Sequence, residues 1–450
     1  MINKIIFALI FFKSLSAFSA SFLNDVKRDK WGDLEVVWIE DNKFPRYDAI
    51  FYFHDGALNE EISGLTQAAF EQMSSGTSKA TQEELAEFFD FYATKLKRSV
   101  THEYSTYGIK GLTKDIVPVV TKVCEMFKDA QFPEKELSSY VTRSKNQIKS
   151  VVNSHSALAD RVFREMTLAG TPYAKAAEGR LESFDKLSPT KLKQRLNELN
   201  KARKVLYLSG PAEAYKLKEV IAKNCPWSSE KSLAKVELAK PAAQTAIYLV
   251  PVEGANQAQI RIGRYVTAEE IKGKNDNYSF LAGFLGGGFT SKLVQELRVK
   301  RGLTYSAGAY VSMQRDYGRA GVMTFSKTET TAEAISIIRD IFSDLSANKI
   351  NQQEFKHQQG HQMGSFAFSF EETNAFLTQI MIYDHQKRSL SELEKYPGII
   401  GALTPEALSQ ANLEAFPWER LTIVVVGDKS LEKSLSRIRP VRLLDYKKFL

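Results

Sequence analysis

The chain has 450 residues, of which 43% are hydrophobic, and its formal net charge at pH 7 is +8. One hydrophobic core stops growing at roughly 250–300 residues, so a chain of this length is expected to form two domains. Its basic residues are interleaved with acidic ones and form no stripe with stacking aromatic residues, which argues against a nucleic-acid-binding protein.

The chain begins with a segment typical of a secretory signal peptide. Lys4 precedes an apolar run from Ile5 to Phe12, and Ala17-Phe18-Ser19 fits a signal-peptidase site. The run is far shorter than the about 20 apolar residues that a membrane-spanning helix needs. We therefore expect residues 1–19 to be removed. The mature chain would be secreted, or periplasmic if it comes from a Gram-negative bacterium, without a stable membrane anchor.

The first half of the mature chain, residues 20–227, alternates strand and helix patterns. β-branched and aromatic residues predict strands at Leu34–Ile39 and Ala49–His54, and apolar residues at three-and-four spacing predict a long helix over Asp115–Ala130. Ser188-Pro189 is a typical helix start, with Ser as the cap and Pro in the first turn. The apolar strand KVLYLSG closes this half.

Between these strands and the long helix lies GLTQAAFEQMSSGT, from Gly64 to Thr77. Its pattern predicts a short amphipathic helix that ends at Ser-Ser-Gly-Thr. Glu60 and Glu61 precede the helix, where acidic side chains favour the positive end of its dipole. The apolar face, which we expect to be buried, consists of Leu65, Ala68, Ala69 and Met73.

Residues 228–244 have the composition of a linker, and residues 245–450 repeat the plan of the first half. Strands are predicted at Ala246–Val252 and Gln257–Ile262, and a long helix over Thr331–Asn348. Thr404-Pro405 is again a helix start, and LTIVVVG is again a closing strand. The repetition indicates an internal duplication. The predicted fold class is α+β, with two homologous domains, each a mostly antiparallel sheet with long helices over one face.

The most distinctive stretch is FLGGGFTSKLVQELRVKRGLTYSAGAY, from Phe284 to Tyr310. It contains three consecutive glycines, Gly286, Gly287 and Gly288, which permit close backbone approach or positive φ. A helix is predicted to start near Thr290 and to be broken at Gly302, and Tyr305 is predicted to open the next strand. A phosphate-binding loop is excluded, because no Gly-Lys-Ser/Thr follows at the required spacing. A tight structural turn is the remaining alternative for the glycines.

This stretch resembles the second-domain signature of the M16, or pitrilysin-type, zinc metallopeptidases. The signature consists of a glycine-rich loop, a helix carrying Leu-Arg, and the sequence Gly-Leu-x-Tyr. The resemblance covers essentially all of the mature chain and implies homologous domains that form half of a clamshell around a peptide chamber. In the family, an Arg and a Tyr seven residues later bind the substrate backbone. Arg298 and Tyr305 have that spacing, so the resemblance implies that they and the glycine run bind substrate. The structural alternatives are a solvated helix charge and a half-buried strand aromatic.

The same resemblance implies that the opening helix has lost its chemistry. Catalytic M16 chains resemble Gly-Leu-x-His-x-x-Glu-His followed by Gly-Thr, in which two His bind zinc and Glu is the general base. Here Gln67, Phe70 and Glu71 stand in place of the first His, the Glu and the second His. The family's third ligand is a Glu further along, but residues 137–159 contain no acidic residue. We expect no catalytic residue and no metal in this chain.

The other histidines and the two cysteines predict no replacement site. His357 and His361 have the i,i+4 spacing of zinc ligands, but no carboxylate lies between them, so we expect surface or packing positions. His102 is expected in a strand as a hydrogen-bonded structural residue. Whether Cys124 and Cys225 pair is left open, and two buried thiols are the simpler expectation. Two cysteines are too few for a disulfide framework or a zinc knuckle.

The resemblance implies a non-catalytic subunit of a secreted or periplasmic M16 zinc peptidase. The chain would supply the Arg-Tyr pair and half of the peptide chamber to a zinc-bearing homologous partner in a heterodimer. It would bind an extended peptide and would not be an enzyme on its own. One alternative is an M16-like structural or peptide-binding protein with no proteolytic role. Another is an active peptidase with relocated ligands.

Overall fold

A computed structural model describes Leu23 and residues 25–228 and 246–450. The predicted signal peptide, residues 1–19, lies outside this range, as does the predicted linker 228–244 except for Ser228. The described residues form two compact units. The first contains residues up to 143, 177–228 and 369–394, and the second contains residues 144–176, 246–368 and 395–450.

The first unit contains one six-stranded sheet. Its strands are β1 Val26–Trp31, β2 Leu34–Glu40, β3 Arg46–Phe53, β4 Lys95–Val100, β5 Ser105–Leu112 and β6 Lys204–Gly210. They lie in the order β1-β2-β6-β3-β5-β4. The β2–β6 pair is parallel and all other neighbours are antiparallel.

The second unit contains a second six-stranded sheet. Its strands are β7 Ile247–Pro251, β8 Gln257–Thr267, β9 Ala307–Met313, β10 Tyr317–Lys327, β11 Thr422–Gly427 and β12 Val441–Leu443. The order is β12-β7-β11-β8-β10-β9, so five strands repeat the order β2-β6-β3-β5-β4 of the first sheet. Only the sixth strand differs, because β12 is parallel to β7 whereas β1 is antiparallel to β2. The predicted α+β class with mostly antiparallel sheets is confirmed.

Helices connect and cover these strands. In chain order they are α1 Leu65–Gln72, α2 Gln82–Phe91, α3 Ile116–Asp129, α4 Glu134–Ser150, α5 His155–Leu168, α6 Leu181–Phe184, α7 Pro189–Lys201, α8 Leu217–Asn224, α9 Ala268–Ile271, α10 Asn275–Gly286, α11 Thr331–Ser346, α12 Gln352–Phe366, α13 Thr373–His385, α14 Ser391–Ala402, α15 Pro405–Ala415 and α16 Leu431–Leu435. Both predicted helix starts are confirmed, since Ser188 caps α7 and Thr404 caps α15 through side-chain hydrogen bonds. No helix in the described ranges is long and apolar enough to cross a membrane.

Both faces of the second sheet are covered, which differs from the predicted covering of one face. Ile423 and Val425 of β11 pack in a core with α10, α11 and α15, whereas Val424 and Val426 pack against α5. Successive side chains of a strand point to opposite faces, and for that reason a strand buried on both faces is apolar at every position. The LTIVVVG run is such a strand.

Each unit includes one helix from the other half of the sequence. Helix α5 precedes the predicted linker but belongs to the second unit, and α13 follows the linker but belongs to the first. Within the first unit, His385 of α13 is buried between two polar partners. Its Nδ1 lies 2.7 Å from the Tyr52 hydroxyl oxygen and its Nε2 lies 2.7 Å from Glu103 Oε2. A buried polar helix end is thereby satisfied by hydrogen bonds.

Two local expectations in the first unit are wrong. His102 and Glu103 lie in the turn between β4 and β5, where Thr101 N–H donates to the Tyr104 carbonyl at 2.9 Å, and not within a strand. Cys124 and Cys225 are not free thiols but form a disulfide, with their Cα atoms 4.5 Å apart. The disulfide joins α3 to the segment that directly follows α8.

Candidate functional site

The opening motif forms α1, and a buried acid fixes its first turn. Gly64 has φ of +86°, and its N–H donates to Glu60 Oε1 at 2.6 Å, while Thr66 N–H donates to Glu60 Oε2 at 2.8 Å. The carboxylate therefore satisfies two backbone donors that a helix start leaves unpaired. Burial raises the pKa of Glu60 to about 6, although these hydrogen bonds act in the opposite direction.

A buried arginine of α7 ties α1 to the segment that follows β3. Arg195 is 1% exposed, and its guanidinium binds both carboxylate oxygens of Asp55 at 3.0 and 3.1 Å. Its Nε donates to the hydroxyl of Thr66 on α1 at 2.9 Å, and Nη2 donates to the Gly56 carbonyl at 3.0 Å. Charge-assisted, bidentate contacts of this kind fix geometry as well as contributing energy. The helix that carries the degenerate motif is therefore held rigidly within its unit.

The resemblance implies that three positions of α1 replace the family's zinc ligands and general base, and the structure shows what surrounds each of them. Phe70 is completely buried in an aromatic core, with its ring centroid 5.5 Å from that of Phe53 and 5.8 Å from that of Tyr107. Gln67 and Glu71 lie one turn apart, and the Gln67 side-chain amide donates to the Glu71 carboxylate. Phe70 is thus a packing residue, and Gln67 and Glu71 interact with each other.

Gln67 and Glu71 line a polar cavity of about 390 Å³ in the first unit. The cavity is also lined by Ser74, Ser75, Arg98 and Arg143. Zinc in proteins is bound by His, Cys and carboxylate groups. Here one carboxylate stands beside amides, hydroxyls and two guanidiniums, whose charges repel a cation. These residues do not fit a zinc ion. In the part of the chain that the structure describes, no three His, Cys, Asp or Glu side chains are grouped so that they could hold a metal.

In the second unit, the glycine run ends α10 against the edge strand β9. A Cβ on Gly286 would lie 2.5 Å from the Gly308 carbonyl carbon and would also overlap the Ala309 nitrogen. Gly287 is similarly close to Gly283, whereas Gly288 faces open space but has φ of +151°. Close approach and positive φ, the two properties expected of these glycines, therefore both occur. Their role in substrate binding stays a prediction.

We predict that Gly286→Ala lowers the free energy of unfolding by about 1–3 kcal/mol, because the added methyl overlaps backbone atoms that cannot rotate away. Gly360→Ala is the matched control, since Gly360 lies exposed in α12 with nothing within 4 Å of its Cβ position. There, alanine is expected to raise stability by up to about 1 kcal/mol through its higher helix propensity. Chemical denaturation of both variants measures this, and equal effects would contradict the close-approach explanation.

Arg298 lies on a helical turn, and the basic residues on either side of this turn are already paired. Residues Val294–Val299 form a π-helical turn, a feature often found at functional sites. Glu296 accepts from Lys300 and Arg301, each at 2.7 Å, and Lys292 lies 3.6 Å away. Arg298 instead lies over the Phe289 ring, 5.4 Å from its centroid. Within the described ranges no carboxylate pairs with its guanidinium, which is thus available to a ligand.

Tyr305 is presented to solvent just before β9. Its exposed fraction is 77%, and the strand begins at Ala307, so the expectation that Tyr305 opens the strand is wrong. A local turn at Thr304 delays the strand: its hydroxyl donates to the Ser306 carbonyl at 2.9 Å and accepts from Ser306 N–H at 3.1 Å. A half-buried strand aromatic, the structural alternative for Tyr305, is not observed.

Phe289 is a neighbour of this site that the sequence pattern does not indicate. It directly follows the glycine run, is 77% exposed, and lies under the Arg298 guanidinium. A cation over an aromatic face is attracted by the ring quadrupole. In sequence only its place after three glycines distinguishes it, because exposure of a Phe cannot be read from a local pattern.

The ion pairs of Glu296 predict a pH dependence of stability. Partial burial raises the pKa of Glu296, but hydrogen bonds from Lys300 and Arg301 and the charge of Lys292 lower it to about 2. Because the pKa is lower in the folded state, the stabilisation is complete above the unfolded pKa of about 4.5 and is lost as pH falls towards 2.

We therefore expect Glu296→Gln to cost about 1–2 kcal/mol at pH 7, a figure reduced for solvent screening, and progressively less between pH 4.5 and 2. Denaturation of the wild type and the variant at both ends of this range measures the difference. A cost that does not change with pH would contradict the assignment.

Comparison with known proteins identifies a matching family. Residues 192–360 match the family model described as "Peptidase M16 inactive domain". The resemblance to the M16 family is thereby confirmed. This chain is 23% identical to the uncharacterized zinc protease YmxG of Bacillus subtilis, over 76% of this chain and 84% of that protein. It is 21% identical to the non-peptidase homolog YmxG of Helicobacter pylori, over 73% of this chain and 77% of that protein.

Solved structures show the same fold. The peptidase M16 inactive domain from Pseudomonas fluorescens has a TM-score of 0.80 with 19% identity, covering 90% of this chain and 98% of that one. The periplasmic protease PqqL from Escherichia coli has a TM-score of 0.68 with 13% identity, covering 90% of this chain and 46% of that one. The matched family model and the non-peptidase name of the Helicobacter pylori relative support an inactive M16 homologue.

Proposed function

We propose that this chain is a non-catalytic, substrate-binding subunit of a secreted or periplasmic M16 zinc peptidase. In this proposal it contributes Arg298, Tyr305, the loop Gly286–Gly288 and half of a peptide chamber to a zinc-bearing homologous partner. The observation that carries the proposal is the state of Arg298 and Tyr305. One is a guanidinium with no carboxylate partner in the described chain, and the other is a phenol with 77% of its surface exposed.

The chemistry of these two groups suits an extended peptide. A guanidinium offers several donors in a fixed fork, which match the carbonyl oxygens of a peptide backbone. A phenol hydroxyl can donate to a carbonyl oxygen that gains negative charge during hydrolysis. The exposed Phe289 ring, on which Arg298 rests, adds an apolar surface for a substrate side chain. The chain would thereby orient a peptide for a reaction carried out elsewhere.

The zinc and the general base would come from the partner subunit. Gln67 is a poor zinc ligand and Phe70 cannot accept a proton from water. Phe70 is also completely buried, so its position cannot be reached by substrate. No single substitution would restore a zinc site with its general base, because all of the positions that correspond to them in the family have changed.

The proposed compartment rests on the predicted signal peptide and is supported by the cysteines. The only two cysteines of the chain form a disulfide. Disulfides form and persist in oxidising compartments such as the periplasm and the extracellular space, and they are rare in the reducing cytosol. The proposal therefore predicts that the protein isolated from its source contains no free thiol.

The proposal is tested in a complex reconstituted with a zinc-bearing M16 homologue. Arg298→Ala and Tyr305→Phe are each expected to lower kcat/KM by about a hundredfold, the usual effect of losing one transition-state hydrogen-bond donor. Arg301→Ala is the matched control, because Arg301 lies on the same segment but is already paired with Glu296. Its effect should be small. Gel filtration establishes whether each variant still assembles.

Two results would overturn the proposal. Peptide hydrolysis by the chain alone, abolished by a chelator, would show that it is a peptidase in its own right. Unchanged turnover in assembled Arg298→Ala and Tyr305→Phe complexes would favour the alternative of an M16-like structural protein with no proteolytic role.

A further inference from the structure

The cavity beside α1 has the charge pattern of an anion site. Two basic side chains line it, Arg98 from the edge strand β4 and Arg143 from α4, against one acid, Glu71. Its volume of about 390 Å³ lies within the range of small-molecule sites. In catalytic relatives the corresponding helix would hold a cation. Here the excess of positive charge favours the opposite kind of ligand.

Arg98 is positioned before any ligand arrives. Its guanidinium lies 5.4 Å from the centre of the Tyr107 ring, and Nη2 donates to the hydroxyls of Ser74 and, at 3.4 Å, Tyr107. Its Nε is buried and has no hydrogen-bond partner among the described residues. A buried donor without a partner costs free energy. Since Ser74 Oγ accepts from Arg98, its own hydrogen is free to donate into the cavity.

Arg143 and Glu71, together with Arg98, determine the net charge of the cavity. Arg143 is exposed, and no carboxylate pairs with it in the described chain. Glu71 is occupied in part by the Gln67 amide, which donates to it. The three ionisable side chains leave one net positive charge, which matches a singly charged anion better than a phosphate, because Glu71 repels each added negative charge.

We propose that this cavity binds a carboxylate, from the free C-terminus of a peptide or from an acidic side chain, between the guanidiniums of Arg98 and Arg143. Guanidinium groups bind carboxylates in a forked, bidentate geometry, and the Ser74 hydroxyl provides a further donor. The site belongs to this chain alone and does not depend on the proposed partner. The position that binds zinc in catalytic relatives has thus become a site for a negatively charged group.

The test uses the full chain and three probes of equal length: N-acetyl-trialanine, its C-terminal amide, and the amidated peptide N-acetyl-Ala-Glu-Ala. Calorimetric titration is expected to show binding of the free acid at least about tenfold tighter than the amide, the factor that one lost charge-assisted hydrogen bond gives. Binding of the glutamate peptide identifies an acidic side chain as a ligand. Its absence restricts the ligand to a C-terminus. Either result supports a carboxylate site.

Variants distinguish this site from adventitious charge. Arg143→Gln should weaken binding of the acid about tenfold, whereas Lys97→Gln should leave it unchanged. Lys97 is the matched control because it neighbours Arg98 on β4 but points to the other face of the strand. Arg143 is exposed, so its replacement is compatible with folding even if Arg98→Gln is not.

Three outcomes would overturn the inference. They are equal binding of acid and amide, binding that Arg143→Gln does not change, and binding of inorganic phosphate that is tighter than that of the carboxylate peptides. None of them bears on Arg298 and Tyr305, so this inference and the proposed function can fail separately.

Discussion

Replacing Arg195 by methionine is expected to lower the free energy of unfolding of the first unit by about 3–5 kcal/mol. Arg195 is 1% exposed and Asp55 is 2% exposed, and the two form a bidentate ion pair at 3.0 and 3.1 Å. Methionine fills much of the same volume but leaves the Asp55 carboxylate buried without its counter-ion. An uncompensated buried charge is among the most costly defects in a protein interior. Urea denaturation followed by tryptophan fluorescence measures the loss.

Two controls separate the buried charge from the loss of a long side chain. Arg203→Met removes an arginine whose ion pair with Glu35 is solvent-exposed, with exposed fractions of 53% and 45%, and it should cost less than about 1 kcal/mol. Adding Asp55→Asn to Arg195→Met removes the unpaired charge and should recover part of the loss. Similar costs for the Arg195 and Arg203 variants would contradict this account.

Removing the disulfide has the second largest expected effect. Cys124→Ala with Cys225→Ala should destabilise the first unit by about 2–4 kcal/mol. The disulfide closes a loop between residues separated by 101 positions, and a cross-link over such a distance restricts the unfolded chain strongly. The stability of the wild type and of the double variant, measured with and without a reductant, gives the size of the effect.

The reductant also provides the control for this prediction. Wild-type stability should fall to that of the double variant when the reductant is added, and the double variant should not respond. Because the chain has only two cysteines, no other pairing can replace the bond. Rapid alkylation of both cysteines in the native, unreduced protein would show that the disulfide does not form.

Both substitutions act on the part of the first unit that supports α1. Arg195 binds Thr66 at 2.9 Å on this helix, and the disulfide anchors α3, whose Phe127 packs against Phe70 with ring centroids 6.1 Å apart. We therefore expect the carboxylate affinity of the cavity to fall in the Arg195 variant even under conditions where it remains folded. The same residues therefore support both the geometry of the cavity and the stability of the first unit.

Local features of this protein follow from its sequence. Cap chemistry and apolar spacing involve neighbours within a few residues, so the starts of α7 at Ser188 and α15 at Thr404, and the closing strands β6 and β11, could be predicted. The repeat of these elements predicted two similar domains, and the strand order that the two sheets share is seen in the structure. The expected loss of zinc chemistry at Gln67, Phe70 and Glu71 also required only the sequence, because it depends on the residue type at each position.

The tertiary structure alone decided which distant residues meet. Three features join residues that are far apart in sequence. Cys124 pairs with Cys225, and His385 lies between Tyr52 and Glu103. Helices α5 and α13 belong to the units of the opposite halves. The cavity lined by Arg98 and Arg143 and the exposure of Phe289 belong to the same class. The physical reason is that periodicity and capping report interactions along a short stretch of backbone. Burial, charge balance and cross-links depend on the whole packed chain, and no local pattern contains them.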